Sequence, residues 1–447
     1  MKLLRVISLS ALLVLVPAVL NAQAPVDKMV DEELASLLAT YQYFHSHPEL
    51  SYEEKETAAR VAGELRQLGF EVTENVGNYN VAGRTSYGLV AVLRNGAGPT
   101  VWVRTDLDGL PVTENTGLPH ASRVRAKIAA GETGVMHACG HDLHMANFLG
   151  TAKLLTRMKD RWSGTLVMLG QPAEEVGAGA TAMLRDGLYT RFPRPDFVIA
   201  LHDAAALPAG TVGLREGYAL ASADSVDIIV RGAGGHGAYP HTTKDPVVLA
   251  SQIVLALQTI RSREINPQDA AVVTVGSFHA GTKHNIIPDE ARLQLTIRSY
   301  KPEVRQKIIS SIERISRGLA EAAGIPPERA PTVTLSDGTP STYNDPALTQ
   351  RLTNIFERVL GKENVIQTEP VMGAEDFSHY TLEGRQIPTA MFWLGAVAPA
   401  RWKEAQEKGE TLPSLHSAEF APDAELALRT GVRAMTAAVL DLMQAPK

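Results

Sequence analysis

Short apolar runs of strand character alternate with helix-period stretches along this chain, and that rhythm restricts it to helices packed on a sheet. Strand-like runs fall at 88–93, 100–104, 165–169 and 197–201. Residues 28–70 read as helical, with an amphipathic stretch at 53–68 stopped by Gly69, and a second helix is expected at 143–158. Such alternation predicts an α/β fold.

At 447 residues the chain exceeds what one hydrophobic core usually holds, so two domains are expected. The rhythm changes between 217 and 331. A strand at 225–230 leads through the Gly-rich turn RGAGGHGAYPH to a helix at 246–261, strands at 271–278 and 291–300, and a helix at 303–323. That β-α-β-β-α order suits a small ferredoxin-like domain. A helix at 348–360, a strand at 389–394, a polar loop at 397–413 and a helix at 424–443 complete the chain. The simplest architecture is one α/β domain in two pieces, 23–216 and 332–447, interrupted by a lid at 217–331.

Residues 1–22 have the order of a secretory signal peptide: Lys2 and Arg5, an apolar run from Val6 to Leu20, then small residues. The run falls short of the roughly 20 apolar residues of a spanning helix. Cleavage after Ala22 is expected, giving a periplasmic or secreted protein with no membrane attachment. Losing Lys2 and Arg5 would take the formal charge from −6 to −8. A mildly acidic chain without a basic run excludes nucleic acid as a partner. Exported proteins use cysteines in pairs, yet Cys139 stands alone.

Three strand-like runs lead into residues that bind metals. Run 100–104 leads to Asp106 and Asp108, run 165–169 to Glu174 and Glu175, and run 197–201 ends at His202. In open α/β sheets ligands bind beyond the carboxyl ends of the strands, so these termini can share one crevice. In HACGHDLH, a thiol sits beside imidazoles at the start of a helix, a composition that suits a transition metal. A thiol nucleophile, Cys139 with His141 or His144 as base, is the competing reading. It leaves Glu174 and Glu175 without a role. As a pair they suit a division of labour, one binding metal and the other taking a proton from the attacking water.

The motifs HPELSYEE, RTDLDGLPVTENTGLP, GVMHACGHDLH, QPAEEVGAGA, GGHGAYPH, HNIIPDEA and GAEDFSHY follow one another in this order. Together they resemble the metal-dependent amidohydrolase and carboxypeptidase family of hippurate hydrolases, bacterial N-acyl-amino-acid hydrolases and plant auxin-conjugate hydrolases. The likeness runs from about Leu34 to the C-terminal helix. It implies a di-metal peptidase-like catalytic domain with an inserted lid, and two divalent ions held by Cys139, His141, Glu175, His202 and His416, with Cys139 bridging. Glu174 would be the general base, His236 would stabilise the oxyanion, and Asn285 and Arg298 would hold the substrate carboxylate. The donors favour zinc, while the carboxylates also admit manganese, cobalt or nickel. The implied substrate is a small N-acyl amino acid or peptide. The lid also offers a strand edge or helix for homodimer formation, in which His236 would act in the partner's site. DAAALPAG after His202 and the loop at 397–413 depart from the family pattern, which bears on the pocket wall and cleft mouth. A non-catalytic peptide-binding relative is the third alternative; it would lack a ligand, and no ligand is missing.

Overall fold

A computed structural model describes residues 20–336, 338–382 and 384–444. Most of the expected signal segment, residues 1–19, lies outside them. The first helix, Leu20–Ser46, carries Val30, Leu34, Leu37, Tyr41 and Phe44 along one buried stripe. It does not continue to residue 70 as the sequence suggested. Pro48 disfavours helical backbone at His47, and the chain leaves the helix there, resuming as Lys55–Gln67. Gly69, at φ +86, closes that helix as expected.

The large sheet has eight strands in the order Glu71–Glu74, Leu89–Asn95, Gly164–Gln171, Thr100–Asp106, Phe197–Pro208, Thr389–Val397, Val212–Leu214 and Val365–Gln367. Its middle four strands are mutually parallel. Side chains on a strand point alternately to opposite faces, and here both faces are covered. Val101, Val103, Leu166 and Met168 join the core under the helices Leu20–Ser46, His141–Arg157 and Ala424–Leu442, whereas Trp102, Val167 and Leu169 join a second core that includes Phe377 and Tyr380. Burial on both sides is why these strands read as unbroken apolar runs.

A second, antiparallel sheet is ordered Ala271–Ala280, Glu290–Ser299, Ser222–Arg231, Thr332–Leu335. Numbered along the chain this is second, third, first, fourth, the ferredoxin-like arrangement. Its fourth strand lies just past residue 331, pairing Val226 with Leu335 and Ile229 with Thr332. The helices Pro246–Thr259 and Pro302–Ala322 enclose a separate core with this sheet, centred on Ile228, Leu257, Leu293 and Ile308. Both helices begin with proline in the first turn, where its missing N–H costs nothing. The molecule is thus an α/β body with an inserted ferredoxin-like domain.

The stretch expected as a polar loop at 397–413 contains the helix Pro399–Lys408. Its only buried residue is Ala405, so it has no apolar stripe; Lys403–Glu407 and Lys408–Glu404 ion pairs support its exposed face.

Because the lid has its own core, replacing Ile308 with Ala should cost about 2–5 kcal/mol of lid stability while leaving bound metal unchanged. Calorimetry and metal analysis on one sample check both; concurrent loss of metal would show that the lid core supports the metal donors.

Candidate metal centre

Thr100–Asp106 lies between Gly164–Gln171 on one side and Phe197–Pro208 on the other, all three parallel. The chain leaves Thr100–Asp106 towards Gly164–Gln171 and leaves Phe197–Pro208 towards Val212–Leu214 on the opposite side, and such a divergence opens a crevice. Asp106 ends the central strand, and Glu174 and Glu175 follow the strand that stops at Gln171. His202 is inside its strand rather than at its end, because pairing with Thr389–Val397 carries the strand on to Pro208.

The helix His141–Arg157 starts at the crevice, and Gly140 makes its first turn possible. Gly140 has φ +73, and a Cβ there would sit 2.3 Å from the Asp203 carboxylate. Cys139 precedes this turn and His141 follows it. The His202 Nε2 lies 3.6 Å from the Cys139 Sγ, and the His416 Nε2 lies 3.3 Å from it. Ligand atoms of Cys139, His141 and His202 all fall within 4.8 Å of one another, as do those of Cys139, Glu175 and His416. The thiol belongs to both trios.

The two histidines of the first trio are oriented from behind. Nδ1 of His141 is 2.8 Å from the Asp108 carbonyl, and Nδ1 of His202 is 2.8 Å from the Asp203 carbonyl. A carbonyl only accepts, so each ring donates from Nδ1 and turns Nε2 towards the crevice, the usual posture of a metal-ligating imidazole. Nε2 of His141 and Oε1 of Glu175 are buried and have no hydrogen-bond partner. Orphaned acceptors around a shared thiol fit a pair of divalent cations.

Backbone strain accompanies this arrangement. His416 has φ +65 and Ala173, just before Glu174, has φ +51, a region non-glycine residues rarely enter. The His416 amide is held by the Ala138 carbonyl at 2.8 Å, next to the thiol. Asp108 accepts the amides of Glu174 and Glu175 at 3.1 and 3.0 Å, and the Ser51 hydroxyl at 2.6 Å.

Electrostatically the crevice is acidic. Arg104 is the one buried Arg or Lys among the described residues, and it pairs with Asp106, Glu375 and Asp376 at 2.5, 2.7 and 3.3 Å. His144 lies between Asp106 and Asp203, whose carboxylates, against the effect of burial, hold it up at about 9. Burial, then the carboxylates Glu375 and Glu175, push Glu174 well up. Burial raises Glu175 to about 7, with His141 opposing. Burial and the glutamates also push the Cys139 thiol up. A nucleophilic cysteine needs the opposite shift, so these surroundings favour a thiolate only beside a cation.

The expected residues divide into two places. Cys139, Glu174, Glu175, His202, His416 and Arg298 line one cavity of about 640 Å³, with lid residues opposite. The half-buried Arg298 donates to the Met372 carbonyl at 2.7 Å on that wall. His236 and Asn285 do not line this cavity. They meet each other on the exposed ribbon of Gly235–His236 and Ile286–Ile287, where His236 pairs with Ile286 and Asn285 receives the Gly237 amide at 2.9 Å. The roles of Arg104, Glu54, Glu375 and Asp376 were not read from the sequence, although all four stand in motifs quoted above; one arginine and isolated acids there look like surface residues.

Protons and cations compete for these donors. Metal binding should therefore release protons and strengthen with pH, by about tenfold per pH unit for each proton displaced. Metal retained after dialysis should fall steeply as pH drops through 7, where Glu175 protonates. Full retention at about pH 5 would contradict the donor set.

Residues 102–421 match the model of the peptidase family M20/M25/M40. The thermostable carboxypeptidase 1 of Saccharolobus solfataricus is 38% identical over 385 residues, 86% of this chain and 89% of that protein. The hippurate hydrolase of Campylobacter jejuni is 34% identical, covering 82% of this chain and 87% of its own. A crystal structure of a dinuclear metal-binding M20 peptidase from Bacillus subtilis superposes with a TM-score of 0.73 at 28% identity, over 92% of this chain and 99% of that one. The resemblance carried by the motifs is borne out, and the chain belongs to the peptidase family M20/M25/M40, a hydrolase family.

Proposed function

We propose that this enzyme hydrolyses the amide bond of N-acyl amino acids or short peptides, freeing an amino acid with its carboxylate. The observation that carries the reading is one cavity lined by Cys139, Glu175, His202 and His416 together with Glu174 and the Arg298 guanidinium. The names of the carboxypeptidase and hippurate hydrolase relatives agree with it.

Two divalent cations held by Cys139, His141, Glu175, His202 and His416 would polarise the scissile carbonyl and acidify water. Glu174 would take the proton of the attacking water and return it to the leaving nitrogen. Its raised proton affinity suits both halves of that transfer. Arg298 would grip the substrate carboxylate. Zinc or manganese fits the mixed sulfur, nitrogen and oxygen donors, with cobalt or nickel as alternatives.

His236 completes the reading from a second copy. Its Nδ1 accepts the Ala238 amide at 3.0 Å, so the neutral ring keeps its proton on Nε2, a donor suited to an oxyanion. The lid exposes Leu255 and Val248 on one helix and Tyr239 and Ile286 near His236. A homodimer through these surfaces would deliver His236 and Asn285 to the partner's cavity. The reading further includes export, with residues 1–22 removed.

Glu174→Gln should lower kcat by about 10²–10⁴ with two metals still bound; retained turnover would defeat the assignment. Arg298→Lys should raise KM mainly for substrates with a free carboxylate. Mixing inactive Glu174→Gln protein with inactive His236→Ala protein should restore activity if the dimer shares its sites. A fully active monomer by light scattering would remove the shared-site arrangement.

A further inference from the structure

HPELSYEE sits beside the catalytic strands, and Glu54 within it has no part in the chemistry above. Its carboxyl is fully buried. One oxygen, Oε1, accepts two amides: Tyr52 at 2.9 Å and Ala173 at 2.7 Å. Both residues have left-handed backbone, at φ +72 and +51. A single acceptor thus ties two strained residues from distant parts of the chain.

The Ala173 side of this clamp leads directly to the site. Its carbonyl accepts the amides of Ala178 and Gly179 at 3.1 and 3.2 Å, so the residue is held at both ends. The next two amides, of Glu174 and Glu175, go to the carboxylate of Asp108. Three consecutive N–H groups are therefore gripped by two buried carboxyls. The same N-terminal motif also steadies Asp108 through Ser51, and the Glu49 carbonyl accepts the Gly109 amide at 2.7 Å.

We propose that Glu54 is a positioning residue for the Glu174–Glu175 pair: its Oε1 holds the left-handed Ala173 turn that directs both carboxylates into the cleft. This rests on the roles given to those two glutamates above. Alanine enters left-handed backbone only at a cost, so an external acceptor is needed to keep it there. The need is for an acceptor oxygen rather than for charge. Burial and the neighbouring Asp108 carboxylate raise Glu54 to about 8, and Oε1 accepts both amides whether or not the other oxygen carries a proton.

Glu54→Gln, which keeps that acceptor, should stay within about threefold of wild-type kcat. Glu54→Ala should lose at least about tenfold in kcat with little change in KM, as misplacement of reacting groups does. In the Glu54→Ala background, Ala173→Gly should recover activity, because glycine adopts positive φ without the side-chain penalty. The visible spectrum of cobalt-loaded protein supplies a readout apart from turnover. It should change in Glu54→Ala through displacement of Glu175, and remain as wild type in Glu54→Gln. Should Glu54→Ala not fold, Glu54→Asp, one methylene short, takes its place with the same expectations. Wild-type kcat and spectrum in the shortened variant would overturn the proposal, as would equal damage from Gln or no recovery with glycine. A spectrum that responds as expected while Glu174→Gln stays active would keep the clamp and remove only the role assigned to Glu174.

Discussion

Buried negative charge is the constraint around which the centre of this molecule is organised. Asp106, Asp108, Glu174, Asp203, Glu375 and Asp376 are all buried near the strand ends, and among the described residues Arg104 is the single buried guanidinium, facing them. An uncompensated buried carboxylate would simply take up a proton. Part of the charge is neutralised by Arg104 and by His144, and Gln171 spends its amide on Asp376 at 2.6 Å. What remains lies around Cys139, and divalent cations are the natural complement. Removing one partner from such a network costs more than the pair is worth, because it strands its neighbours. The apolar layers and the turns therefore hold a charge pattern whose completion comes from outside the chain.

Carboxylates also do a second job here, as acceptors for backbone amides that have no ladder partner. Glu49 takes the amide of Thr57 at 2.7 Å at the start of the helix Lys55–Gln67, and Asp345 and Asp423 do the same for their helices. Glu54 and Asp108 apply the same chemistry to a turn instead of a helix. Backbone that would otherwise relax is fixed by side chains that are themselves buried. Left-handed Ala173 persists on these terms beside Glu174, whereas left-handed His416 is held by the backbone carbonyl of Ala138.

Much of this could be read from the residues alone, for identifiable reasons. Parallel strands covered on both faces leave continuous apolar runs, so 100–104 and 165–169 were visible, and Asp106, Asp108, Glu174 and Glu175 stood shortly after them. The ferredoxin-like order of the lid was visible because its strands and helices differ sharply in period. The break at His47 was missed because flanking helical periodicity outweighed one proline. The helix Pro399–Lys408 was missed because it buries only Ala405. The clamp at Glu54 was out of reach for a different reason. In sequence Glu53 and Glu54 look alike, yet Glu53 is exposed and Glu54 is fully buried, and only the tertiary fold separates them.

The cavity's two walls carry opposite instructions for a charged substrate. One wall holds the proposed metal donors and Glu174; the lid wall presents Arg298, whereas Asp224 on the same wall is neutralised by Arg305 in a two-bonded pair at 2.7 and 2.6 Å. On the reading proposed above, a substrate carboxylate would be drawn to the Arg298 guanidinium on the lid wall. The neutral acyl or peptide carbonyl is then the part left facing the donors. On that reading Arg298 would set which end of the substrate lies where, and the shape of the remaining wall, including Trp393 and Val371, would decide which acyl groups fit.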